Sequence, residues 1–285
     1  MKTIIEIPNK IECSIKIKKG FVFIEILLNE KKKFFLLDSG APSIILNEKH
    51  ITVKKTNQRD FIGVSGKGSS SKVIMSKFNW NGFIIKNMEV NVIDLSHLEA
   101  VFNEPFHGLI GYEQLSYFSF QINYKNKTIN LWRGFDKNNH NIIGEIPFTI
   151  YNHLPIIKIS IRDKTLKFGL DTGAGSNLLD IKYKSVLKNS FDSIGESILK
   201  GGDKNERNVI QVTLNDISIN DVPYKKMKTV LTSIVHLTHS FGDIDGLLGY
   251  EFLKQKNMII SLVEKKIYLI KTSVSNTIRL FNSFE

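Results

Sequence analysis

Two short stretches hold the residue types from which hydrolytic chemistry can be built: Asp38-Ser39-Gly40-Ala41 and Asp171-Thr172-Gly173-Ala174. Each places one carboxylate behind a run that reads as a strand, Phe34-Phe35-Leu36-Leu37 in the first case and Lys167-Phe168-Gly169-Leu170 in the second. A carboxylate at the end of a buried strand stays charged only where N–H or hydroxyl donors reach it, and a glycine lets a partner chain come close. Ser39 and Thr172 offer the hydroxyls; Gly40 and Gly173 leave the room. A single copy would mean little, because Asp-Ser-Gly and Asp-Thr-Gly are ordinary turn tripeptides. Two copies in one chain suggest a pair of carboxylates meeting across an internal symmetry axis.

The segments that must position these carboxylates repeat as well. Phe21-Val22-Phe23-Ile24-Glu25-Ile26-Leu27-Leu28, a turn at 29–31 and the run 34–37 read as a hairpin feeding Asp38. The same layout recurs in Leu154-Pro155-Ile156-Ile157-Lys158-Ile159-Ser160-Ile161, a turn at 162–164 and the run 166–170, displaced by 133 positions (38 to 171). Downstream, His107-Gly108-Leu109-Ile110-Gly111-Tyr112-Glu113 matches Asp245-Gly246-Leu247-Leu248-Gly249-Tyr250-Glu251, now displaced by 138 (111 to 249). Strand, turn and strand follow each copy, at 118–131 and 257–269. Between these anchors lie two glycine-bearing segments, Gly63-Val64-Ser65-Gly66 and Gly201-Gly202, which read as hairpin tips. Gly63 is 25 positions beyond Asp38 and Gly201 is 30 beyond Asp171, so the five inserted residues precede the glycines. Helix signals are few: 113–118, 251–255 and 181–187. A period this long indicates a duplicated domain and not a solenoid. The polar stretch 133–141 is the best boundary, dividing the chain into lobes at 1–135 and 146–285 with a linker at 136–145.

Composition sets outer limits. The 285 residues, 42% hydrophobic and 24% charged, describe an ordinary globular protein. The net charge of +11 comes from lysines scattered in turns, as at Lys31-Lys32-Lys33 and Lys225-Lys226, with no basic helix or basic-aromatic motif, so no nucleic-acid partner is expected. Cys13 is the only cysteine, which excludes an intramolecular disulfide and a thiol metal cluster. No apolar run approaches the roughly 18 residues of a membrane span. The first eight residues carry Glu6 and Pro8 where a signal peptide needs an unbroken apolar core. That fits a cytoplasmic protein, or one whose sequence begins after a removed leader.

The paired Asp-Ser/Thr-Gly-Ala motifs, each followed by two aliphatics and a glycine (Leu109-Ile110-Gly111 and Leu247-Leu248-Gly249), resemble the retropepsin-like and pepsin-like aspartic peptidases. The resemblance covers roughly residues 15–271. It looks closest to the bacterial aspartyl peptidases built from two tandem retropepsin-like domains. It implies a mostly β, bilobal acid-protease fold of two small homologous barrels with a few short helices. It implies that Asp38 and Asp171 form a dyad sharing one proton around an attacking water, in a monomer that completes its site within one chain and needs no metal or cofactor. Ser39 and Thr172 would link the lobes beneath the dyad, Gly40 and Gly173 would be its turn glycines, and a peptide substrate would extend between the lobes. Gly63, Val64, Ser65 and Gly66, with Gly201 and Gly202, become flap candidates. Ala41 and Ala174 stand where pepsins usually carry a hydroxyl, which predicts a less acidic dyad.

Two departures mark this chain: no flap tyrosine, and Pro42 where retroviral enzymes have Asp. A peptidase-fold module that binds peptides without cleaving them is the alternative, and pairing of each lobe with a second chain is a third reading. Other motifs carry less. Glu48-Lys49-His50 and the pair His236, His239 complete no zinc set, and Gly66-Lys67-Gly68-Ser69-Ser70-Ser71 lacks the spacing of a phosphate loop. Trp80 and Trp132 are expected in β cores.

Overall fold

The computed structural model describes residues 2–51, 56–63, 66–200 and 206–271. The chain is mostly β and bilobal, as the repeat implies. The two aspartate hairpins form where aromatic and β-branched residues alternate across a pleat. Phe21–Leu28 pairs antiparallel with Lys31–Leu37 through a turn in which Asn29 and Glu30 have φ of 49° and 64°, the left-handed pair that suits a two-residue hairpin. Leu154–Ile161 and Lys164–Leu170 repeat the arrangement, with Arg162 at φ 52°.

The second repeated motif lies directly beside the first. Gly108–Ile110 runs parallel to the aspartate strand, matching Gly108 to Phe35 and Ile110 to Leu37, and it pairs on its other edge with Ile45–Asn47. Gly246–Leu248 does the same between Lys164–Leu170 and Asn177–Asp180. Asp38 and Asp171 therefore leave their strands at equivalent points, donating N–H bonds of 2.9 Å to the carbonyls of Ile110 and Leu248. The loops after them close in parallel ways. The Ala41 carbonyl accepts from Tyr112 N–H (2.8 Å) and the Ala174 carbonyl from Tyr250 N–H (2.9 Å). Pro42, which has no N–H to give, serves its loop through its carbonyl, accepting from Glu113 N–H at 3.0 Å.

Among the described residues each half builds one large sheet, of nine strands in the first half and ten in the second, and the two halves together build a third of six. That third sheet joins Lys10–Ser14, Thr128–Trp132 and Ser119–Asn123 to Met258–Ser261, Lys266–Ile270 and Ile142–Pro147. At its centre Ser119–Asn123 and Met258–Ser261 run antiparallel, with Ser119 facing Ser261. They are equivalent strands of the repeat, and antiparallel pairing of equivalent strands is what a two-fold axis between the halves requires.

Among the described residues there are four short α-helices: α1 (Ser96–Phe102), α2 (Tyr112–Leu115), α3 (Val235–Phe241) and α4 (Tyr250–Leu253). The second and fourth start one residue before the predicted positions. The expected helix at 181–187 is reduced to a single tight turn at Ile181–Tyr183. None of the four α-helices carries a side-chain cap, and α1 and α3 also lack the Gly-Tyr pair that marks the start of the other two. Trp80 is fully buried, whereas Trp132 is only half-buried and packs on Phe135 and His140 outside the main cores. The Cys13 thiol accepts from the Trp80 indole at 3.4 Å, and burial raises its pKa.

Phe35 anchors the first aspartate strand. It is fully buried and meets Phe78 edge to face, ring centres 6.0 Å apart. Phe35→Ala is expected to cost about 3–5 kcal/mol in a denaturant unfolding experiment. Val263, 68% exposed in a turn, provides the control, with Val263→Ala staying within about 0.5 kcal/mol of the parent.

Candidate functional site

The two aspartate loops meet back to back, and their hydroxyls cross. Ser39 N–H donates to Thr172 Oγ1 at 2.9 Å, and Thr172 N–H donates to Ser39 Oγ at 3.0 Å. Each hydroxyl then donates onward to the opposite strand, Thr172 to the Leu37 carbonyl (3.0 Å) and Ser39 to the Leu170 carbonyl (3.4 Å). Both side chains are buried, at 2% and 1% exposure, so water does not substitute for these partners. This cross-link sets the spacing of the residues one position earlier, the two aspartates.

The carboxyl groups of Asp38 and Asp171 converge on one backbone donor, the N–H of Gly40. Asp38 Oδ1 accepts from the N–H groups of Gly40 and Ala41, both at 3.0 Å. Asp171 Oδ1 accepts from Gly173 N–H at 2.7 Å and from Gly40 N–H, across the lobe boundary, at 3.2 Å. Glycine is required on both sides. A Cβ on Gly40 would sit 2.7 Å from the Asp171 carboxyl carbon, and one on Gly173 would sit 2.4 Å from that of Asp38. Asp171 is buried and Asp38 keeps an edge to solvent.

Burial, and then the neighbouring carboxylate, hold Asp38 well above the ordinary carboxyl range. Burial raises Asp171 too, against the opposing effect of its N–H donors. Two buried carboxyls this close to one N–H donor do not both ionise readily, so the pair retains a proton beyond the pH at which an isolated aspartic acid loses it, and its titration belongs to the pair. One member can then accept a proton while the other donates one.

The structure thus brings together Asp38, Asp171, Ser39, Thr172, Gly40, Gly173 and Ala41. Ala174 N–H turns to the Asp171 carbonyl at 3.3 Å. Of the flap candidates, Gly63 and Gly66 are paired at the end of the hairpin formed by Thr56–Gly63 and Gly66–Trp80. Val64 and Ser65, with Gly201 and Gly202, lie outside the described residues. One residue reached by no motif also joins the site: His153 Nε2 donates to the Gly40 carbonyl at 2.7 Å. Its signal was positional. At the repeat offset of 133 it falls on Gly20, just before the first strand of the repeat, and a histidine opposite a glycine breaks the symmetry.

The cross-linked hydroxyls can be weighed by mutation. Thr172→Val leaves the buried Ser39 N–H without an acceptor, and Ser39→Ala does the same to Thr172 N–H. Each is expected to cost about 1–3 kcal/mol in denaturant unfolding. Because the two share one network, the double variant should cost less than the sum by about 1 kcal/mol.

No family model and no curated protein matches the sequence. Solved structures do match. An aspartic proteinase from Irpex lacteus superposes with a TM-score of 0.58 at 11% identity, over 94% of this chain and 99% of that one. Basic 7S globulin from soybean superposes at 0.52 and 10% identity, over 93% and 95% of the two chains. At these identities the likeness is one of fold: the chain has the mostly β, bilobal fold of the pepsin-like aspartic proteinases.

Proposed function

We propose that this chain is an aspartic endopeptidase in which Asp38 and Asp171 activate a water between two lobes, at 1–135 and 146–285, joined by the segment 136–145. The observation that carries the reading is the carboxyl pair that shares the Gly40 N–H and is held by the crossed Ser39 and Thr172 bonds. The repeated motifs and the proteinase among the structural neighbours support it. The ionised carboxylate takes a proton from water as the oxygen attacks the scissile carbonyl, and the protonated carboxyl gives its proton to the carbonyl oxygen. The resulting diol collapses with proton transfer to the amide nitrogen, the C–N bond breaks, and the dyad returns to its singly protonated state. The balance closes without a metal or redox partner. An extended peptide would lie between the lobes and pair by its backbone with the hairpin ending at Gly63 and Gly66. Both carboxyls come from one chain, which makes a monomer sufficient.

A second reading follows from the globulin neighbour, which is not named a proteinase: a module that holds peptides and does not cleave them. Asp38→Asn and Asp171→Asn separate the two readings. In a peptidase each lowers kcat/KM on a peptide library by about 10³-fold or more, since each removes a proton-transfer partner. If the parent chain cleaves no member of a diverse library and binds no statine-type inhibitor, the peptidase reading is lost.

The pH profile is a separate check. With the pair's proton retained by burial, and with Ala41 and Ala174 supplying no hydroxyl, the singly protonated dyad persists above the acid range. kcat/KM is expected to peak at mildly acidic to neutral pH, and a maximum at about pH 2 would contradict the assignment.

A further inference from the structure

A histidine of the second half reaches the aspartate loop of the first, beside the dyad. His153 follows Asn152 in the turn that opens the second repeat, where Asn152 has φ of 56°. Its ring lies between Tyr112 of α2, ring centres 6.5 Å apart, and Phe241 of α3, 5.2 Å apart. From there Nε2 donates to the Gly40 carbonyl at 2.7 Å. Since a carbonyl only accepts, the neutral ring must carry its proton on Nε2. The Gly40 carbonyl belongs to the same peptide unit as the Ala41 N–H, and that N–H is shared between Asp38 Oδ1 at 3.0 Å and the Asp38 carbonyl at 3.1 Å. A donor on the oxygen of a peptide polarises its N–H and strengthens the bond made on the other side. The chain of contacts runs from His153 through one peptide to the carboxyl of Asp38.

Among the described residues no such relay serves Asp171, on which His153 acts through space by its charge. The counterpart of His153 in the first half is Gly20, where an added Cβ would meet the Gly175 carbonyl oxygen at 2.8 Å and the Tyr250 ring at 2.9 Å. The first half therefore supplies no side chain at this point and has no space for one. Among the described residues the Asp171 carboxyl accepts backbone bonds from Gly173 and Gly40 and none from Ala174.

We infer that His153 is a positioning residue: through the Gly40–Ala41 peptide it stabilises the ionised pair and makes the two carboxyls of a symmetric site inequivalent. This rests on the dyad reading above. Of the groups around the ring, Asp171 is the charge that acts on it, Tyr112 is the titratable group on α2, and Phe241 brings no charge from α3. Burial lowers the His153 pKa, opposed by the Gly40 bond and by Asp171. The neutral donor is accordingly the form present near neutrality, and acidification adds a positive charge beside the pair.

The test is a ¹³C-carboxyl NMR titration of the two aspartates in the parent chain, His153→Leu and His153→Gln, which needs no cleavage. His153→Leu is expected to raise the lower apparent pKa of the pair by about half a unit, by removing the donor. His153→Gln, which still offers an N–H, should restore most of that shift. A coupled pair whose titration is the same in all three proteins overturns the role of His153 and leaves the dyad intact. Two independent titrations at ordinary aspartate values in the parent overturn the dyad itself. If the leucine variant fails to fold, imidazole ¹⁵N spectra of the parent decide: a neutral His153 protonated on Nε2 supports the inference, and one protonated on Nδ1 refutes it.

Discussion

The reciprocal hydrogen bonds between Ser39 and Thr172 are the constraint on which the rest of the structure depends. They join two loops from sequence positions 133 apart, and they do so where neither partner can turn to water. Because each hydroxyl both accepts from the opposite loop and donates to the opposite strand, a shift of either lobe breaks bonds in both directions. Loops with this much chemistry would ordinarily be mobile. Here each is also tied down behind by its Tyr112 or Tyr250 N–H.

The electrostatics follow from that placement. Two carboxyls are brought onto a shared N–H donor and largely removed from water, and backbone N–H groups are the main compensation. Removing the side chain at Gly40 and Gly173 lets each loop reach the other's carboxyl. The linkage has a definite sign. A carboxyl whose pKa is raised on folding contributes stability that is fully present below its unfolded pKa and is lost as pH rises through the raised value. Acid therefore does not strain this centre, whereas alkali does. The first half also holds a neutral-histidine contact that works the other way. His107 Nδ1 accepts from Phe34 N–H, and burial lowers its pKa to about 4. Its contribution is present above the ordinary histidine range and fades as pH falls towards that value.

Much of this was legible in the sequence because the chain states it twice. A displacement of 133 ties the two hairpins together, and Asp-Ser-Gly-Ala against Asp-Thr-Gly-Ala marks the carboxylates and their hydroxyls. The repeated aliphatic Leu109-Ile110 and Leu247-Leu248 pairs lie in buried strands beside the aspartate strands. What stayed hidden depended on contacts between distant residues. α1 and α3 lack the Gly-Tyr pair that marks α2 and α4, and no side-chain cap announces them. Trp132 looked like a core residue by type, yet it sits in a sheet shared by both halves with one face less covered. His153 belongs to no motif, because its partner is a backbone carbonyl 113 positions away, and a carbonyl leaves no mark in a sequence.

The shared six-stranded sheet has a consequence for how the molecule behaves as a whole. Its central pair consists of equivalent strands, and its outer strands, Lys10–Ser14 and Ile142–Pro147, are equivalent as well. The interface is isologous in form, the geometry of a homodimer whose subunits have been joined end to end. Tethering replaces a second-order association with a fixed effective concentration, so the site does not come apart on dilution. It also frees the halves from identity. In a true homodimer a histidine at position 153 would have to appear on both sides of the axis, including where Gly20 leaves no space for it. Covalent duplication is what permits one side of a symmetric centre to carry a group that the other cannot.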